Sequence, residues 1–135
     1  MDKILKFKFR IAFVFWVVGI TTLSLAQLES DLPSTELFVG FDKVVHALFY
    51  FGFTFLLSLG FVEYRGLKLG VKQLLLAVLI AASYGLLIEY LQQEFTTSRQ
   101  AEFLDILANL SGTLIAVLFL KYTTWYYRHQ AGIEI

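Results

Sequence analysis

VKQLLLAVLIAASYGLLIEYL, residues 71–91, is the stretch on which the reading of this chain turns. It is long enough to cross a bilayer as a helix, because about 20 mostly apolar residues span roughly 30 Å of hydrocarbon. Yet it contains an acid, Glu89, and the amides Gln92 and Gln93 follow within a turn. Either the segment is not a membrane helix, or the acid has a reason to be inside one.

Composition decides for the membrane. The chain is 58% hydrophobic and only 16% charged, with a mean hydropathy of +0.70. A soluble domain averages about 45–50% apolar and about 25% charged residues. Three further runs match the first: FRIAFVFWVVGITTLSLAQL at 9–28, VVHALFYFGFTFLLSLGFV at 44–62 and FLDILANLSGTLIAVLFLKY at 103–122. Short connections between long helices favour antiparallel neighbours. The expected fold is all-α, an up-down antiparallel membrane bundle of four transmembrane helices at about 9–28, 44–62, 71–94 and 98–122. The length, 1–135, suits a single domain. The lone proline, Pro33, leaves every run free to be helical. Absence of cysteine excludes disulfides and thiolate metal sites. Zero formal net charge gives no field that would select nucleic acid.

Lysine and arginine set the expected orientation. Lys3, Lys6, Lys8 and Arg10 precede or open helix 1. Arg65, Lys68 and Lys72 surround the 2–3 loop, and Lys121 and Arg128 close the chain. Only Lys43 and Arg99 fall on the other side. This places both termini on the cytoplasmic side of a multi-pass membrane protein. The aromatic tail TTWYYRH then forms an interfacial belt. The basic start, IAFVFWVVGI and SLA at 24–26 also fit a signal peptide, which would leave three helices.

On those helices the polar residues fall on one side of the membrane. Asp42 and His46 are four apart, and Tyr50 continues their face. Glu89 and Gln92 lie in the outer third of helix 3, Arg99 in the loop after it. Asp105 and Asn109 lie at the mouth of helix 4. At 1.5 Å per residue, His46, Glu89, Asp105 and Asn109 sit within roughly 10 Å of the outer boundary. The inner halves of the same helices read as aliphatic. A carboxylate at a helix centre costs about 2.5–3.5 kcal/mol on insertion scales. Facing inward, pairing with Arg99 or protonated His46, or keeping its proton would each lower that cost.

Plainer readings compete. Asp42 can be only an N-cap, and Thr97 with Gln100 fits a capping box that starts helix 4 early. Gln93, Glu94 and Glu102 read as solvated. Tyr50 and Tyr84 read as packing residues with polar tips. Gly52, Ser83, Gly85, Ser111 and Gly112 read as close-approach positions.

The pattern D-K-x-x-H-x-x-x-Y at 42–50, E-x-x-Q at 89–92, Arg99 and D-x-x-x-N-x-x-G at 105–112 resembles the VanZ-like family. The resemblance spans helices 2 to 4; helix 1 carries no comparable signature. It implies a small polytopic bacterial membrane protein, of a family whose namesake is associated with resistance to the glycopeptide teicoplanin and whose molecular activity is not established. It marks Asp42, Lys43, His46, Glu89, Gln92, Arg99, Asp105 and Asn109 as a ligand site without fixed roles.

Three functions compete. The first is binding, at the outer leaflet, of a lipid headgroup, a lipid-linked cell-wall precursor or a lipoglycopeptide, with Lys43 and Arg99 holding phosphate. The second is an intramembrane enzyme acting on a lipid-linked phosphate or ester, with His46 and Glu89 as base and acid and Asp105 as a third catalytic candidate. The third, transport, is disfavoured by the aliphatic inner halves and by the narrowness of four helices unless the chain forms homo-oligomers. A metal set of His46, Glu89 and Asp105 satisfies donor chemistry, but no second histidine lies near and no H-E-x-x-H occurs. No metal or cofactor is therefore expected. A single site requires these groups within about 10 Å of one another, since hydrogen bonds reach about 3 Å.

Overall fold

A computed structural model of the chain describes residues 7–26, 40–65, 69–95 and 102–130. They form four helices: α1 (Lys8–Leu25), α2 (Phe41–Arg65), α3 (Val71–Phe95) and α4 (Phe103–Gln130). Each is long and apolar enough to cross a membrane. Their exposed faces carry Phe15, Leu75, Leu79, Leu86 and Leu118, where a soluble bundle would show charge.

Several boundaries differ from expectation, three of them for a visible local reason. α1 stops at Leu25, not at 28, because Ala26 turns extended while its N–H closes the last turn on Thr22 O. α2 starts at Phe41, so Asp42 and Lys43 are inside the helix. Gly40, at φ 87°, precedes it and accepts from the N–H groups of Lys43 and Val44. α4 starts at Phe103, not 98: Glu102 occupies the cap position, its carbonyl accepting from Asp105 and Ile106. Thr97 and Gln100 lie outside the described residues. At its other end α4 runs on to Gln130, and its last turns present Tyr122, Trp125, Tyr126 and Tyr127.

α2 is the central helix, touching the other three, most extensively α4. Its approach to α4 is backbone against backbone, since a Cβ on Gly112 would run into the Ala47 carbonyl. On the α1 side, Trp16 lies across Gly52 and donates its indole N–H to Phe49 O at 2.9 Å. Tyr50, Phe53 and Tyr84 stack between helices with Phe13 edge-on to Phe53. Gly85 makes room for the Tyr50 ring, which a Cβ at that position would meet at 3.2 Å. Ser83 and Ser111, expected at close-approach positions, face outward instead, and Ser111 donates to Leu107 O of its own helix.

Glu63, near the end of α2, fastens α1. Its carboxylate accepts from the backbone N–H groups of Phe9 (3.3 Å) and Arg10 (3.2 Å), in the first turn of α1. Those N–H groups have no intrahelical partner, and the helix dipole favours an anion there. Arg10 Nε lies 3.7 Å away. Glu63→Ala is expected to cost about 1–2 kcal/mol, read as a lower melting temperature in detergent. An unchanged melt would remove Glu63 from the capping role.

Candidate functional site

The first turns of α2 and α4 meet the last turns of α3, and the polar side chains gather at that end. On α2 the face repeats every four residues: Asp42, His46, Tyr50, Thr54, Ser58. Asp42 is exposed at the rim, and the other four are buried. Asp42 is therefore neither the cap of α2 nor a wall of the interior. α4 answers with Asp105, Asn109 and Thr113 at the same spacing, all buried. From α3 come Glu89 and Gln92.

Three of the expected site residues converge closely. One ligand-bearing atom each from His46, Glu89 and Asp105 lies within 4.8 Å of the others, and all three residues are buried. His46 Nδ1 is 3.0 Å from Asn109 Oδ1, so in this tautomer the ring N–H donates to the amide oxygen. The same nitrogen is 3.9 Å from Glu89 Oε1, beyond hydrogen-bond reach. Among the described residues neither oxygen of Glu89 finds a hydrogen-bond donor of good geometry, although the residue is only 3% exposed. Asn109 Nδ2 and the Tyr50 hydroxyl also lack partners among the described residues. Both residues line a cavity of about 100 Å³ just inside the triad, closed by Gly85, Ile106 and Leu110.

Lys43 is engaged more fully than the sequence suggested. Its Nζ lies 2.7 Å from Asp42, 2.6 Å from Glu102 and 2.5 Å from Asp105. It joins the start of α2 to the start of α4, where acids suit the helix N-terminus. Lys43, expected to hold a phosphate together with Arg99, thus shares its charge with three carboxylates. Glu102, expected to be merely solvated, is one of them. Arg99 lies outside the described residues.

Gln92 faces α1: its Nε2 donates to Ser24 O at 3.0 Å, tying the ends of α3 and α1. Beyond the triad the interior of the bundle is less aliphatic than expected. Thr54 donates to Thr113 across α2 and α4 at 3.3 Å, and Ser58 lies buried a turn beyond. The i, i+4 spacing from Asp42 to Ser58 carried that signal. His129 stands at the far end of α4, about 36 Å along the axis from Asp105 at 1.5 Å per residue.

A groove runs down the outside of the bundle from the charged rim. Lys43 stands at its head, and Val44, Leu48, Phe51 and Ile115 form its walls, enclosing about 500 Å³ between α2 and α4.

No protein-family profile, curated protein or solved structure matches the chain.

Proposed function

We propose that the chain is a VanZ-like, multi-pass protein of the bacterial inner membrane, with both termini cytoplasmic. Its polar end faces outward and holds an amine-bearing lipid headgroup, lipid-linked cell-wall precursor or lipoglycopeptide. The observation that carries this reading is the groove with a charged rim at its head. An acyl or prenyl chain suits its apolar walls, and the ligand's head then lies beside Lys43, Asp42 and Glu102. Among the described residues the rim brings three carboxylates to one ammonium. Two of those carboxylates, on Asp42 and Glu102, have side chains 60% and 56% exposed. A head with an ammonium group therefore suits the rim better than a purely anionic one.

The test is native mass spectrometry of protein equilibrated with phosphatidylethanolamine, phosphatidylcholine and phosphatidylglycerol in equal amounts. Phosphatidylethanolamine is expected to be retained preferentially. The Asp42→Asn/Glu102→Gln double variant is expected to lose about tenfold of that preference, the worth of a charge-assisted hydrogen bond. Preferential retention of phosphatidylglycerol by wild type and variant alike would sink the reading.

A second reading, an intramembrane enzyme acting on a lipid-linked phosphate or ester, draws on the 3.9 Å approach of His46 and Glu89. An imidazole and a carboxylate at that separation can share proton traffic with a group placed between them. Release of labelled product from such a lipid, lost in both His46→Ala and Glu89→Gln, would support it. Turnover unaffected by either change would exclude it.

A further inference from the structure

The geometry points to a divalent cation site inside the acidic end of the bundle, formed by His46, Glu89 and Asp105 with Asn109 Oδ1 beside them. The donors are one imidazole nitrogen and two carboxylates, brought together from three helices within 4.8 Å of one another. Bonds of about 2.0–2.2 Å to one ion would draw such atoms together by roughly an ångström. The inference concerns the closed interior of the site and does not rest on the headgroup reading, which concerns the rim.

The independent observation is Glu89. Its carboxylate is buried, turned toward His46, and has no hydrogen-bond partner of good geometry among the described residues. Buried charges are paired, or they coordinate metals. Lys43 makes its close ion pairs with Asp42, Glu102 and Asp105 rather than with Glu89. With all four carboxylates ionised and the imidazole neutral, four negative charges face one positive charge, an excess of three. A divalent cation cancels most of that excess, and the enclosed setting admits an ion more readily than a headgroup.

His46 is prepared for the role. Loading the ion moves the imidazole proton from Nδ1 to Nε2, and the Nδ1 lone pair and Asn109 Oδ1, 3.0 Å apart, then both turn to the cation that replaces the hydrogen bond between them. A set of one nitrogen and several oxygens suits Mn²⁺ or Zn²⁺; imidazole selects against Mg²⁺ and Ca²⁺. Only one of the two histidines is here, which is why ligand spacing along the chain does not announce the site.

The full chain, purified in detergent and stripped with chelator, is dialysed separately against Mn²⁺, Zn²⁺, Mg²⁺ and Ca²⁺. Bound metal is then counted by mass spectrometry of the elements. Mn²⁺ or Zn²⁺ is expected to bind at close to one ion per chain and to raise the melting temperature. Glu89→Gln and His46→Ala are expected to weaken binding at least about tenfold, the loss that even an outer partner carries, while exposed Glu94→Gln leaves it unchanged. Glu89→Gln keeps the side chain's size, so its melting curve in chelator shows that it folds, and that curve should no longer respond to the ion. The inference is overturned if wild type retains under about a tenth of an ion per chain under saturating conditions. Binding of Mg²⁺ or Ca²⁺ alone, or equal binding by wild type and Glu89→Gln, would overturn it too.

Discussion

Gly112→Ala is expected to lower the melting temperature of the protein in detergent by roughly 10 °C, a loss of about 2–3 kcal/mol. The added carbon meets the Ala47 carbonyl, which belongs to the backbone of α2 and cannot rotate aside. The helices must separate instead. Within a membrane there is little hydrophobic drive to hold them, and close van der Waals contact between small residues takes its place. Separation would reach the site, because Ala47 adjoins His46, and Gly112 lies one turn beyond Asn109. The 3.0 Å contact between His46 and Asn109 would open. Gly19→Ala is the control, since nothing lies within 4 Å of its added carbon. There the change should be neutral, or stabilising by about 0.5–1 kcal/mol from helix propensity alone. Equal effects at the two glycines would show that propensity, not the α2–α4 contact, governs the response.

That contrast also shows what was legible in the residues. The four spans stand out because each run is apolar for its whole length, and that needs no knowledge of partners. Which face of a span points inward is harder to read. In a soluble helix the polar face marks the outside, but here both faces are hydrophobic. Ser83 and Ser111 were therefore placed inward with Gly85 and Gly112, although only the glycines are buried. Thr54, Ser58 and Thr113 are hard to see in the sequence because one hydroxyl barely interrupts an apolar run, even though their spacing continues the face begun by His46. Glu63 and Glu102 give little signal because acids near span ends look solvated. One fastens a neighbouring helix, and the other grips Lys43. The juxtaposition of His46, Glu89 and Asp105 was legible as a one-sided pattern, since depth along a helix follows from residue number. Their approach within 4.8 Å was not, since it depends on helix rotation.

Lys43→Met is expected to cost about 3 kcal/mol, the lower end of the range for breaking a buried pair from one side. Methionine keeps the stem's bulk and its helix propensity, so the loss reports the ammonium. The three ion pairs are unequal. Asp42 and Glu102 keep more than half of their side-chain surface in contact with solvent, and an exposed pair is worth at most about 1 kcal/mol. Asp105 is buried, and without Lys43 its charge would face Glu89 with no cation between them among the described residues. The loss should therefore be concentrated in Asp105. Asp105→Asn added to Lys43→Met should restore most of the stability, with a coupling of about 2 kcal/mol, while Asp42→Asn added instead should restore little. Melting curves of the single and double variants in chelator give the comparison. If the Asp105→Asn addition leaves Lys43→Met as unstable as before, the buried pair is not what Lys43 secures. Mn²⁺ or Zn²⁺ should act in the same direction as Asp105→Asn. With the competing ammonium gone, the triad should take the ion more tightly than wild type does, and the ion should recover part of the stability that the substitution removed.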